Sequence, residues 1–293
     1  MKQMVIVSGK GGTGKTSVTA ALASLGPDKV LADCDVDAAD LHLVLTPQVS
    51  QEHEFWSGQV ASIDPELCTA CGECHQGCVY KAIAEPASDS QDQAYSVLTE
   101  HCEGCGLCAY VCPSGAAIMN DRKSGRWFVS ETRFGSMVHA ELFLGEENSG
   151  KLVTQVRTIS QELAETQGRG LVLVDGPPGI GCPVIASLTG ADLALVVAEP
   201  TISARHDLER VIGLTQHFRI PAMAVINKFD VNPDQARSIE AFCREHDVPL
   251  AGRLPYDPGF TRAQTKGQAI TEYDPRGLGK EAAKVWAAVE KYL

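Results

Sequence analysis

Eight of the chain's 11 cysteines fall in two runs of one spacing, Cys68-x-x-Cys71-x-x-Cys74-x-x-x-Cys78 and Cys102-x-x-Cys105-x-x-Cys108-x-x-x-Cys112. Three thiolates spaced this way wrap one cube of iron and sulfide, and the remote fourth cysteine of each run reaches across to the other cube. The expected ligand sets are therefore crossed. One [4Fe-4S] cluster takes Cys68, Cys71, Cys74 and Cys112, and the other takes Cys102, Cys105, Cys108 and Cys78. Gly72, Gly77, Gly104 and Gly106 suit a backbone folded tightly over a cluster, because they carry no Cβ. Zinc also uses Cys-x-x-Cys pairs, but it needs four ligands and gives no reason for two four-cysteine runs. Disulfides would need an oxidising compartment, and Met1 to Val7 runs into an apolar strand with no leader pattern, so a cytoplasmic setting is expected. Pro113 follows the second run, whereas Val79 stands at the matching place in the first.

A second group of residues is suited to phosphate chemistry. The apolar Val5-Ile6-Val7 precedes Gly9-Lys10-Gly11-Gly12-Thr13-Gly14-Lys15-Thr16, and a helical run from Ser17 to Leu25 follows. This is G-x-x-x-x-G-K-T in a strand, loop and helix context, a P-loop. The backbone from Gly11 through Gly12, Thr13, Gly14, Lys15 and Thr16 to Ser17 offers N–H groups to phosphate oxygens, Lys15 reaches the terminal phosphates, and Thr16 can hold Mg²⁺. Two apolar strands end in acids, Val30-Leu31-Ala32-Asp33-Cys34-Asp35-Val36-Asp37 and Leu171-Val172-Leu173-Val174-Asp175 before Gly176-Pro177-Pro178-Gly179. Carboxylates at strand ends beside a P-loop order Mg²⁺, its waters and the attacking water. Asp35 is assigned with Thr16 to Mg²⁺ and to water activation, and Asp175 to the magnesium water shell. Turn and cap roles account for Asp33 and Asp37 nearly as well.

Lys10 is an addition to the minimal P-loop, and with it the motif resembles the deviant Walker A sequence K-G-G-x-G-K-[ST] of the MinD, ParA, Mrp and nitrogenase iron protein superfamily. The segments ending in Asp35 and Asp175 look like that family's switch I and its Walker B and switch II. With the cysteine runs included, the chain resembles MinD-superfamily ATPases that carry an inserted dicluster ferredoxin domain. The resemblance implies ATP binding, slow partner-stimulated hydrolysis, and a homodimer, or a heterodimer with a related ATPase, formed on ATP. It also implies a catalytic Lys10 that reaches across the dimer to the nucleotide of the second subunit. Asn227-Lys228-Phe229-Asp230 matches N-K-x-D, which reads guanine in GTPases. Relatives with a deviant Walker A use an asparagine at this strand end for adenine, so Asn227 is expected to bind ATP and GTP stays open. Cys182 follows Asp175 at the offset where the similar nitrogenase iron protein has a cluster ligand, which makes it a possible bridging metal ligand. The second such cysteine has no counterpart, since Cys34 and Cys243 lie elsewhere.

The elements that must hold these groups alternate. Apolar strands at 5–7, 30–32, 171–174, 193–198, 222–226 and 249–254 are separated by helical patterns such as 202–218 and 233–246. That order predicts an α/β fold with a mostly parallel sheet covered by helices on both faces. Residues 58–119 form the ferredoxin-like insertion, so the ATPase domain is split into 1–57 and 120–293. Residues 85–93 read as a polar loop between the cluster halves, 145–151 as a polar contact loop, and His139 as structural. Pro255-Tyr256-Asp257-Pro258 is either the end of the base pocket or a plain turn, and Val285, Trp286, Val289 and Leu293 mark a final helix packed on the core. The net charge of −12 disfavours nucleic acid and anionic membranes as partners, and no apolar stretch is long enough to cross a bilayer. The expected partner is a redox protein or metalloprotein. Three functions follow: an ATPase driving electron transfer or metalloprotein assembly, a positioning or regulatory ATPase with structural clusters, and a simple electron carrier.

Overall fold

The computed structural model describes residues 1–86, 94–143, 145–146 and 150–293. Most of the polar loop expected at 85–93, and residues 147–149 of the one expected at 145–151, lie outside the described residues. The strands are β1 (Lys2–Ser8), β2 (Lys29–Asp33), β3 (Gln48–Ile63), β4 (Ile83–Ala84), β5 (Ser96–Val97), β6 (Ala117–Thr132), β7 (Gly135–Leu142), β8 (Leu171–Pro178), β9 (Leu193–Ala198), β10 (Ala222–Asn227) and β11 (Leu250–Leu254). Nine of them form one sheet in the order β11-β10-β9-β1-β8-β2-β7-β6-β3, and β4 and β5 form a small antiparallel pair. Every pairing from β11 through to β7 is parallel. Val172 to Val174 and Leu193 to Val196 are fully enclosed, as the continuous apolar runs of strands covered on both faces require.

The chain divides into two compact units, one of residues 1–53, 126–142 and 147–293 and one of residues 54–125 and 143–146. The second holds both cysteine runs and is wider at both ends than the 58–119 read from the sequence. In the first unit Lys15–Ala23 forms a helix whose residues Val18 to Ala23 are all buried. The last helix, Leu278–Val289, packs on β11 with Val285, Trp286 and Val289 buried, which is the core role expected for it. In the second unit two one-turn helices, Glu73–Gly77 and Leu107–Val111, each carry the third cysteine of a run, Cys74 and Cys108, and lie against each other. Among the described residues no helix is long and apolar enough to cross a membrane.

Candidate functional site

β1 ends at the carboxyl edge of the sheet between β8 and β9, and from there the chain runs into the helix Lys15–Ala23. Open parallel sheets bind ligands at this edge, where neighbouring connections diverge. A cleft of about 410 Å³ opens there, walled by residues 11–17, Asp35, Pro178, Asn227, Tyr256 and Phe260. The helix starts without a capping side chain after Gly14, whose φ is 86°. Its first-turn N–H groups are therefore left for an anion. A Cβ on Gly14 would lie 2.3 Å from Asn227 Nδ2, and that amide donates to the Thr13 carbonyl at 2.8 Å.

Charge is concentrated beneath this loop. Lys15 is buried, with Nζ 2.8 Å from Asp175 Oδ1 and 3.2 Å from Asp35 Oδ2. Thr19 Oγ1 donates to the same Asp175 oxygen at 2.8 Å. Burial alone would push the Lys15 ammonium down, but Asp175 and then Asp35 outweigh it and hold it above the usual lysine value. Burial, and next the charge of Asp175, push Asp33 well above the carboxylate range. Burial raises Asp35 as well, against the pull of Lys15. Asp33 accepts from the backbone N–H groups of Asp35 and Leu41 at 3.2 and 3.3 Å, so its role is to shape the turn and cap the short helix Leu41–Leu45. Asp37 lies in the same turn. Asp175 Oδ2 and Thr13 Oγ1 are buried without a protein partner. Two carboxylates on one ammonium, with Asp175 Oδ2 left without a protein partner, suit a divalent cation that takes one or two carboxylates and keeps its waters.

The cysteines sort into two cavities in the second unit. One is lined by Cys68, Cys71, Cys74 and Cys112, the other by Cys78, Cys102, Cys105 and Cys108. Each quartet takes three residues from one run and its fourth from the other. Backbone N–H groups of Ala82 and Ala61 donate to Cys78 Sγ at 3.3 Å and Cys102 Sγ at 3.5 Å. Cys112 Sγ lies 3.6 Å from Ser114 Oγ, and the N–H of Ala117, then the Ser114 hydroxyl, bring its thiol down to about 7. Burial pushes Cys74 and Cys108 the other way. Gly104 has φ of 64°, and a Cβ there would meet the Gln59 carbonyl at 2.2 Å, so the tight fold expected of the loop is real at this position. Gly77 differs from expectation, because it sits inside the helix Glu73–Gly77 with ordinary backbone. Among the described residues no three or more His, Cys, Asp or Glu side chains gather as they would around a single ion.

The profile of the CobQ/CobB/MinD/ParA nucleotide binding domain family matches residues 4–270. The chain belongs to this family. An uncharacterized protein of Methanocaldococcus jannaschii is 32% identical over 233 residues, which are 78% of this chain and 79% of that protein. A cytosolic Fe-S cluster assembly factor Nubp1 homolog of Drosophila grimshawi is 31% identical over 122 residues, 34% of this chain and 39% of that protein. Among solved structures, the septum site-determining protein MinD of Pyrococcus horikoshii, complexed with Mg-ADP, shares the fold with a TM-score of 0.58 at 18% identity, over 99% of this chain and 96% of its own. The P-loop cleft lies wholly within the residues matched to this nucleotide binding domain.

Within that domain the expected residues are gathered unevenly. Lys15, Thr16, Ser17 and Asp35 line the cleft, and Asp175 sits beneath it bound to Lys15. Lys10 is folded back on its own chain, with Nζ 3.1 Å from Glu199 Oε1 and 3.3 Å from Ser203 Oγ. The N-K-x-D segment acts as a brace: Asn227 holds Thr13, Lys228 Nζ donates to the Gly12 carbonyl at 2.9 Å, and Asp230 Oδ1 accepts from the Tyr256 N–H at 2.7 Å. Cys182 is exposed at the start of the helix Cys182–Leu188, while Cys34 and Cys243 are buried, so the three do not form a site within one chain. The sequence reading did not single out Glu199 or Gln264, whose Nε2 donates to Ser17 Oγ at 2.8 Å. Glu199 carries the same signal that marked Asp175, an acid at the end of an apolar strand; Gln264 has no such signal.

Proposed function

We propose that the protein is an ATP-binding and ATP-hydrolysing iron–sulfur protein that couples nucleotide-dependent pairing of two chains to electron transfer or to metallocluster and metalloprotein assembly. One observation carries the iron–sulfur half: two crossed cysteine quartets, each lining its own cavity, in a compact unit inserted into an ATPase fold. The thiolates of Cys68, Cys71, Cys74 and Cys112 would hold one [4Fe-4S] cluster and those of Cys102, Cys105, Cys108 and Cys78 the other. Such clusters supply one-electron chemistry. The N–H and O–H groups bound to Cys78, Cys102 and Cys112 would tune its potential. A reducing compartment such as the cytoplasm suits this cargo.

In the nucleotide half, Lys15 is ion-paired with both Asp35 and Asp175. A triphosphate would compete for that ammonium and free both carboxylates; Asp35 with Thr16 would then hold Mg²⁺, Asp35 would also activate water, and Asp175 would hold the water shell of the cation. This exchange is a local charge change on two segments that serve as switches. Lys10 would then engage the nucleotide of a second copy. Cys182, being exposed, is retained as a candidate bridging ligand in that pair. The Asp230 carboxylate is already engaged with the Tyr256 amide, which favours adenine over guanine.

The assembly branch draws support from the likeness to the Nubp1 homolog. The likeness to MinD instead favours the second reading, a regulatory or positioning ATPase in which the clusters are structural. Anaerobic purification with iron and sulfide assays tests the common core: roughly eight of each per chain are expected from two four-iron cubes. Cys78→Ala should bleach the cluster held mainly by the second run and spare the first. Zinc without sulfide ends the iron–sulfur claim, and loss of the first cluster in that variant ends the crossed ligation.

A further inference from the structure

Glu199 lies one residue beyond β9, at the carboxyl edge of the sheet beside β1. Its side chain is 15% exposed and meets two lysines, with Oε1 3.1 Å from Lys10 Nζ and Oε2 3.3 Å from Lys228 Nζ. Lys228 reaches on to the Gly12 carbonyl and has φ of 57°, a left-handed conformation that an unbranched L-residue adopts at some cost. Lys10 reaches Ser203, whose hydroxyl is 3.3 Å from that of Thr201, the cap of the helix Ile202–His217. One carboxylate therefore fixes lysines on both flanks of the phosphate loop. Among the described residues it shares no hydrogen bond or ion pair with Lys15, Asp35 or Asp175, which form a separate set.

We infer that Glu199 is a latch that holds Lys10 within its own subunit, so that two chains close over ATP only when Lys10 exchanges Glu199 for a phosphate in the second chain. The inference rests on the ATP-dependent pairing proposed above. A contact made only in the open state opposes closure by its full strength, because an equilibrium moves by the difference between two states. The geometry makes the exchange reversible. The Lys10 side chain is 40% exposed and can swing outward, while Glu199 keeps Lys228 and is not left buried without a cation.

The test uses the full chain carrying Asp35→Ala, which is expected to bind ATP without turning it over, and follows pairing by sedimentation over an ATP series with and without Glu199→Gln. Glutamine keeps the length and the hydrogen bond to Lys228 and removes the charge. The ATP midpoint for pairing should fall about five-fold or more, the lower end of ordinary coupling between sites, while ADP affinity stays unchanged. In a Lys10→Ala background the same substitution should do nothing, since the latch then holds nothing. A midpoint that does not fall when the parent pairs, or that falls equally without Lys10, overturns the latch and leaves ATP-driven pairing standing. If Glu199→Gln loses ADP binding, Ser203→Ala, which removes the other contact of Lys10 together with the Ser203–Thr201 hydroxyl contact, must lower the midpoint, and failure to do so overturns the proposal. If the parent never pairs, the proposed pairing fails; pairing that appears only in Glu199→Gln supports the latch, and none in either overturns it too.

Discussion

Gly14 sets the tolerance of the nucleotide site at the scale of single atoms. An alanine Cβ there would stand 2.3 Å from Asn227 Nδ2, at φ of 86°. To seat it, Asn227 must release the Thr13 carbonyl, and the backbone must bear the left-handed strain of about 1–2 kcal/mol. Gly14→Ala should therefore weaken nucleotide binding by at least about ten-fold, or 1.4 kcal/mol, in calorimetric titration. Native affinity in that variant would mean that Asn227 does not shape the loop. The glycines, Lys15 and the strand-end acids were legible in the sequence because a P-loop is local and each acid follows an apolar run. The clamp from Asn227 was not, since it joins residues 214 positions apart. Lys10 is the instructive case: the motif told what a second copy asks of it, while its resting partner Glu199 depends on how β9 and β1 pair.

Among the elements, the parallel strands were legible and the far side of the sheet was not. β8, β9 and β10 are short apolar runs with no other way to be buried. β3 and β6 are 16 residues each, and β3 is exposed over Gln48 to Glu54, so its sequence carries no burial pattern. β6 turns into β7 through Arg133 and Phe134, a two-residue connection that joins antiparallel strands. Cysteine content drew the insertion at 58–119, whereas strand pairing extends the ordered backbone on both sides. On β7, His139 is enclosed, with Nε2 2.9 Å from Ser130 Oγ and its ring stacked 5.0 Å from Phe128. Burial, and next the charge of His42, lower its pKa from 6.5 to about 4. Between those values the unfolded chain binds the proton and the folded chain does not, so the stabilisation present above pH 6.5 is lost progressively toward pH 4. Denaturant unfolding at pH 7 and pH 5 should show His139→Gln losing less stability than the native chain, by up to about 2 kcal/mol. Equal losses would assign the acid sensitivity of the fold to other groups.

For the whole molecule, the open matter is whether the nucleotide site and the cysteine unit act together. β2, which leads to Asp35, pairs with β7; β7 neighbours β6; and β6 begins among residues of the cysteine unit. β3 likewise carries residues of both units, so the insertion is entered and left through strand backbone. Adjacency alone transmits nothing; coupling requires an element with two arrangements that both sites bias. The proposed exchange of Lys15 from Asp35 and Asp175 to phosphate would be such an element, and the release of Lys10 from Glu199 a second. If they are connected to the clusters, ATP bound to the Asp35→Ala protein should shift the midpoint potential of at least one cluster in an anaerobic redox titration. Lys10→Ala should abolish the part of that shift that depends on pairing and keep the part that depends on binding alone. A ligand with equal affinity for both arrangements moves nothing, so the size of the shift measures how strongly the two units are linked. Potentials that stay fixed while the chains pair would separate the two activities, and the clusters would then be structural parts of a regulatory ATPase.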